Sequence, residues 1–238
     1  MPLSRRNLIA KSAFAISSLP LIALATDASA QPKPAEPWPD HLVERPRREG
    51  FPVDLPLNAD GSAPDHAESE AGPISGPLMW RTPDRSTPPG EADYRKMAIK
   101  VDTRGLGKLG GTLHFSDLEK LPRVSGVHLL QCGVREPHGI VKWTGVRFSD
   151  FADMLGLHPN THYCRLIASD RAYVDEAMDT LRRPQVMLAW LMNDKPISLD
   201  HGAPLRLIVP FRYGNRSIKG ITEISFATPG LQMPPLPS

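Results

Sequence analysis

The stretch Gly126-Val-His-Leu-Leu-Gln-Cys-Gly-Val134 decides how the chain is read, because it carries an apolar run out to a thiol. Val127, Leu129 and Leu130 read as a buried strand, and Gly133 lets the backbone turn sharply after Cys132. A cysteine delivered from a core at a strand end is well placed to bind something in a cleft. A second stretch, His201-Gly-Ala-Pro-Leu-Arg-Leu-Ile-Val-Pro-Phe-Arg-Tyr-Gly-Asn-Arg-Ser-Ile-Lys219, sets a strand over Leu205 to Val209 before a basic, glycine-containing loop. Fixed cations beside backbone that can be approached closely suit an anionic ligand such as a phosphate.

Outward from these two stretches the pattern is one of short strands and short helices. Met97 to Val101 alternates as a strand, and Ser116 with Glu119 has capping-box spacing over a short helix ended by Pro122. After Cys132 a loop over 133–142 leads to Trp143-Thr-Gly-Val146. Ser149 is expected to cap a helix from Asp150 to Leu155. Tyr163 to Ala168 reads as a strand, Asp175 to Leu181 as a helix, Val186 to Met192 as a strand, and Ile221 to Phe226 as the last strand. Such an order predicts an α+β domain with a mixed sheet over residues 94–228, rather than alternating parallel βαβ units. No internal repeat and no Cys-x-x-Cys-His haem-attachment motif occurs.

The flanks differ from this domain. Half of the 26 prolines lie between Gln31 and Asp93. Proline removes a donor and fixes φ, so helix and central strand are both disfavoured there. Residues 31–93 are expected to form an extended arm that either wraps the domain or stays loose, with Trp38, Phe51, Leu55, Leu57, Leu78 and Trp80 as candidate anchors; plain disorder of 31–75 is the competing reading. Residues 229–238 read as a tail. At the start, Ser4-Arg5-Arg6-Asn7-Leu8-Ile9 with Lys11 resembles a twin-arginine export motif, followed by an apolar stretch to Ala25 and the small residues Ala28-Ser29-Ala30. Residues 1–30 are therefore expected to be a signal peptide directing the chain to the periplasm, with an uncleaved anchor as the alternative. That route carries folded proteins, which suits a cofactor inserted before export.

With 238 residues, 40% hydrophobic and 23% charged, the chain has the composition of a soluble globular protein. Its net charge of +2 comes from the first thirty residues, since acidic and basic residues balance in the rest. No basic helix or cluster with interleaved aromatics points to nucleic acid. The two cysteines, Cys132 and Cys164, make an even count, which in an exported protein reads as a disulfide. A cysteine nucleophile would need a base beside it, and the sequence places neither His128 nor His138 there. Cys164 at mid-strand also reads as a small core residue.

Cys132, Trp143-Thr-Gly-Val146, Asp170-Arg-Ala-Tyr173 and the His201–Lys219 block together resemble the molybdopterin-binding domain of the sulfite oxidase family, over roughly Met97 to Phe226. That family includes the catalytic subunit of the periplasmic methionine-sulfoxide reductase. The resemblance implies a molybdenum-molybdopterin cofactor with Cys132 as the metal ligand in place of a disulfide. It gives His201, Arg206, Ser217, Ile218 and Lys219 as pterin contacts and Tyr173 as a residue beside the metal. Arg135 and Arg216 are candidate cations for an anionic substrate. It implies two-electron oxygen-atom transfer, either sulfite oxidation or reduction of methionine sulfoxide or another S- or N-oxide. A separate cytochrome or membrane haem subunit would exchange the electrons. The larger sulfite oxidases dimerise through a further C-terminal domain, so a monomer is expected here. A cofactor-free, disulfide-stapled binding module is the reading from a different class. The chain departs from the family in three places. The loop after Cys132 is short and lacks Cys-x-Gly-Asn-Arg-Arg, Gly220 stands where many members have tryptophan, and an Asn-Asn-Phe-Tyr segment is missing.

Overall fold

The computed structural model describes residues 41–229 except 44, 47, 77 and 78. The signal peptide expected over 1–30 with Arg5 and Arg6, the candidate anchors Trp38 and Leu78, and the tail from 230 onward lie outside the described residues. Residues 41–46 cluster with the chain's start, and everything below concerns the unit that begins at residue 47.

Two sheets carry the fold. In one, β1 (Ala98–Asp102), β2 (Gly111–His114), β5 (Tyr163–Ala168), β6 (Tyr173–Ala177) and β10 (Ile221–Ala227) lie in the order β2-β1-β10-β5-β6. Its β1 and β10 run parallel and its other pairs antiparallel, so the sheet is mixed. In the other, β3 (Arg123–Gln131), β4 (His138–Arg147), β7 (Met187–Met192) and β8 (Lys195–Pro196) follow in order, with β9 (Arg206–Ile208) also paired to β7. Three short helices, α1 (Phe115–Leu118), α2 (Phe148–Met154) and α3 (Met178–Leu181), connect them. This is the α+β arrangement expected from the pattern. The main core lies under β1, β5, β10, α2 and β7, with Phe148, Phe151, Leu166, Leu188 and Phe226 fully buried. A smaller cluster gathers Leu130, Val141, Trp143, Met187, Ala189, Ile197 and Ile208 beneath the second sheet.

Several boundaries differ from the sequence reading. The 115–118 helix is framed by His114, whose N–H donates to Asp117 Oδ2 at 3.0 Å, and not by Ser116 and Glu119. Helix α2 starts at Phe148, whose N–H donates to the Val186 carbonyl at 3.0 Å, so Ser149 lies inside it. The helix expected over 175–181 is half strand, because Asp175 pairs across to Arg165 and accepts a two-pronged hydrogen bond from its guanidinium at 2.6 and 2.7 Å. A cross-strand ion pair of this kind favours β geometry over helix. The loop expected over 133–142 is shorter, since β4 begins at His138.

The proline-rich segment is hydrogen-bonded to the domain from Val53 on. Val53 N–H donates to the Gly133 carbonyl at 3.0 Å, His66 N–H to Val127 at 3.1 Å and Gly72 N–H to Ile140 at 2.9 Å. Ser75 forms an isolated bridge with His138. Among the described residues no helix is long and apolar enough to cross a membrane.

Strands β4 and β7 meet unusually closely at a register shift between Thr144 and Gly145. A Cβ on Gly145 would come to 1.9 Å from the Leu188 carbonyl oxygen and 2.7 Å from Ala189 Cα. Backbone cannot yield as a side chain can, so Gly145→Ala is expected to destabilise the protein by about 3 kcal/mol, the upper part of the overpacking range. A urea melt reads this as a lowered midpoint at unchanged slope. A midpoint equal to the wild type's would mean that the strands slide apart freely and that Gly145 does not set their spacing.

Candidate functional site

A cleft of about 240 Å³ opens where the β3–β4 hairpin of one sheet meets the β5–β6 turn of the other, floored by β9 and the 214–219 loop. Cys132, Tyr173, Arg206, Ser217, Ile218 and Lys219 all line it. The sequence reading therefore names residues far apart in the chain that the fold brings to one cavity.

Cys132 follows directly on the last residue of β3. Its N–H donates to the Pro137 carbonyl at 3.0 Å, and Gln131 holds the hairpin shut by donating its side-chain amide to the Cys132 and Val134 carbonyls, both at 2.9 Å. The thiol is half-buried and free. Cys164 is also a free thiol, wholly buried in the main core, so the disulfide reading is corrected. Burial, with Asp175 and Glu176 nearby, pushes the Cys164 thiol well above its ordinary range, which leaves it inert.

The opposite end of the cleft is cationic. Arg206 sits in β9 at 2% exposure, with its guanidinium carbon 5.1 Å from the ring centroid of the buried Trp143. Its Nη1 donates to the His201 carbonyl at 2.9 Å, while its Nε is buried with no hydrogen-bond partner among the described residues. Burial alone pushes its pKa down to about 10. His201, named from sequence as a pterin contact, is not among the residues that line the cleft. Its Nδ1 is buried with no hydrogen-bond partner among the described residues, and burial, then Arg206, holds the imidazole below its usual pKa and so neutral at pH 7. Lys219 Nζ lies 3.4 Å from the Asp200 carbonyl and 3.9 Å from the centroid of the Trp80 ring. Burial, then Arg206, lowers its pKa to about 8.

Two glycine-dependent contacts hold these groups together. Gly202 has φ +104°, and a Cβ there would fall 2.3 Å from Lys219 Cβ, so only glycine lets the His201 turn lie on the Lys219 loop. The Gly220 N–H donates to the Gly202 carbonyl at 3.0 Å. Ser217 is buried, and its Oγ accepts from the Val209 N–H at 2.9 Å, which ties the loop to the end of β9. Leu207 N–H donates to the Ile218 carbonyl at 2.9 Å for the same purpose.

Tyr173 opens β6 in the cleft wall, with the Arg165 guanidinium 4.9 Å from its ring centroid. The two other arginines named from sequence do not line the cleft. Arg216 turns to β6, where its Nε donates to Glu176 Oε1 at 2.6 Å and its Nη2 to the Asp175 carbonyl. Arg135 is exposed on the β3–β4 hairpin. Arg81 and Met79 from the proline-rich segment line the cleft instead, and Asp170 fixes them by accepting the Arg81 N–H at 2.7 Å. The sequence signal for them was slight: a Met-Trp-Arg triplet in a segment otherwise poor in large apolar residues.

Residues 87–231 match the family described as oxidoreductase molybdopterin binding domain. The chain is 30% identical over 143 residues to the mitochondrial sulfite oxidase of Drosophila melanogaster, covering 49% of this chain and 25% of that protein. It is 30% identical over 152 residues to the catalytic subunit of protein-methionine-sulfoxide reductase of Campylobacter jejuni, covering 53% and 48%. It thus spans about half, or less, of the length of these relatives. The fold is similar to that of the sulfane dehydrogenase SoxCD from Paracoccus pantotrophus, with a TM-score of 0.51 at 18% identity over 80% of this chain and 57% of that one. With its matched region holding both ends of the cleft, the protein belongs to the molybdopterin-binding oxidoreductases.

Proposed function

We propose that the protein is an exported molybdenum-pterin enzyme that transfers an oxygen atom at a sulfur centre, with Cys132 as metal ligand and the Arg206 end as pterin cradle. The observation that carries this is the buried Arg206, whose guanidinium has no carboxylate partner among the described residues and whose Nε is unsatisfied. A buried cation of this kind is costly unless an anion is supplied from outside the chain. The pterin's phosphate is such an anion, and the unpartnered His201 Nδ1 is a further group for its polar edge. At the other end, a soft thiolate donor fits molybdenum. When bound, the molybdenum-pterin would supply the two-electron redox centre for oxygen-atom transfer to or from sulfur.

The chain's own residues then bind and orient. Arg206 and Lys219 neutralise the anionic end of the pterin, Ser217 and Ile218 hold the loop against it, and Cys132 fixes the metal end. Tyr173 offers a hydroxyl near the Cys132 end for an oxygen of the substrate. Between the two substrates foreseen, the geometry favours a neutral S-oxide such as methionine sulfoxide. Arg216 is taken up by Glu176, Arg135 stands outside the cleft, and Leu130, Met79, Ala172 and Val174 give the wall an apolar character. Sulfite oxidation is the second reading, supported by Tyr173 and by Arg81 in the wall. Electrons would be exchanged with a separate haem-carrying partner, and the twin-arginine motif would take the chain to the periplasm with its cofactor in place.

Three measurements test this. Protein made in a cofactor-competent host is expected to hold close to one molybdenum per chain, and Cys132→Ser to lose its visible thiolate-to-metal absorption. A metal-free wild type would sink the assignment. A reduced dye with methionine sulfoxide, and separately an artificial acceptor with sulfite, decide the substrate. For the S-oxide, Arg81→Gln is expected to change KM by less than about threefold. If sulfite alone is turned over, the S-oxide reading fails, and Arg81→Gln should then raise the sulfite KM about tenfold or more, as loss of a cation attracting a dianion requires. Finally, replacing Arg5 and Arg6 together by lysine is expected to leave the protein in the cytoplasm. Normal accumulation outside would show that ordinary secretion suffices.

A further inference from the structure

We propose, resting on the pterin-binding reading above, that Trp80 is a positioning residue for Lys219: its indole face holds the ammonium group at the cleft, where that group meets the anionic end of the pterin. The residue comes from the proline-rich segment, outside the four stretches that carry the family resemblance.

The geometry is that of a cation held on an aromatic face. Lys219 Nζ lies 3.9 Å from the Trp80 ring centroid, well inside the range in which a ring quadrupole attracts an ammonium. The Asp200 carbonyl, 3.4 Å from Nζ, is a second contact on the same ammonium. A four-carbon stem has many rotamers, so a face that selects one of them matters for aim.

The indole in turn is fixed on several sides. Trp80 is 4% exposed. A Cβ on Gly220 would come to 2.9 Å from its Cη2, so the ring occupies the place a side chain there would take. The next residue is anchored by the bond from Arg81 N–H to Asp170. The loop bearing Lys219 is thus gripped between Gly202, which accepts the Gly220 N–H at 3.0 Å, and the Trp80 ring.

Two further observations assign the contribution to the ring face. The Trp80 indole N–H is buried without a hydrogen-bond partner among the described residues, so it adds no directional bond within the protein. Lys219 also faces Arg206, which opposes its charge, and Asp170 and Asp200, which favour it; burial and Arg206 prevail and bring its pKa to about 8. An aromatic face attracts the ammonium and not the neutral amine, which works toward keeping the lysine charged for an anion.

The test follows pterin retention in purified, loaded protein during dialysis, with molybdenum and pterin per folded chain as the starting readout. Trp80→Leu and Lys219→Met are each expected to speed pterin loss on the order of tenfold. Because they remove the same interaction, the double variant should be little worse than either one. Trp80→Phe, which keeps a ring face, should stay within about threefold of the wild type. Multiplying effects in the double variant, or a phenylalanine as poor as leucine, would overturn the proposal. If Trp80→Leu does not fold, tryptophan fluorinated stepwise at position 80 alone keeps the shape and weakens the ring face. Pterin loss should then quicken with each fluorine, and a flat series overturns the proposal. A wild type that carries no pterin overturns the functional reading and this proposal together. A loaded wild type with uncoupled variants overturns the proposal alone.

Discussion

A guanidinium buried without a carboxylate is the constraint on which the rest of this structure turns. Arg206 cannot give up its proton at any ordinary pH, because even after burial its pKa is about 10. The fold has to accommodate the charge, and it does so with partial partners: the Trp143 ring on one side, the His201 carbonyl on another and the cleft on the third. Each partner imposes geometry elsewhere. Trp143 stands next to the register shift in β4, where Gly145 lets β7 come close enough to support β9. The His201 carbonyl is presented by a turn that only glycine at position 202 lets rest on the Lys219 loop. An anion in the cleft would complete this set of contacts, and the family to which the chain belongs carries a cofactor with a phosphate.

Two other arginines make the contrast plain. Arg165 is as buried as a core residue, yet its guanidinium is matched by Asp175 through two hydrogen bonds on the neighbouring strand. Arg216, partly exposed, is matched by a single hydrogen bond to Glu176 and a second to the Asp175 carbonyl. Both acids belong to β6, so that strand neutralises two cations without help from a ligand. Arg206 is thus a buried guanidinium that no carboxylate matches among the described residues. Apolar side chains, the Tyr173 ring and Arg81 line other parts of the cleft. On the proposed reading, such a site would hold the cofactor by charge and receive the substrate mostly by shape.

How much of this was legible in the sequence depends on whether the signal was local. The strand ending at Cys132, the strand over Leu205 to Val209 and the glycine-bearing loop after it are contiguous patterns, and they mark both ends of the cleft. Arg216 was misleading because its partner is Glu176, forty residues upstream on another element, and one-dimensional spacing carries no record of that pairing. The helix read over Asp175 to Leu181 failed for a related reason, since Asp175 is drawn into a strand by Arg165 across the sheet. Strand β4 starts earlier than its sequence suggests because Gly139 and Ile140 are covered by Pro73, Ile74 and Gly72, residues that read as loop. Met79 and Arg81 were missed for want of periodicity: they reach the cleft because Asp170 catches the backbone between two proline-rich runs.

The composition of that segment has its own physical logic. Strand β3 is the edge of its sheet, and β4 runs past the point where β7 stops pairing with it. Exposed edges of this kind invite pairing with other chains. The segment blunts them with single hydrogen bonds: His66 to Val127 on β3, Val53 to Gly133 just beyond it, and Gly72 and Ser75 to the free part of β4. A regular strand laid there would satisfy more donors, but it would present a fresh edge in turn. Proline cannot donate to a ladder, and its fixed φ lowers the entropy lost on ordering an extended chain. A proline-rich cover can therefore cap the sheet without extending it. Because it need not keep strand register, it is free to leave the edge and carry Met79 and Arg81 to the cleft. The same property that made these residues hard to read from sequence is what allows the segment to bring side chains to the site.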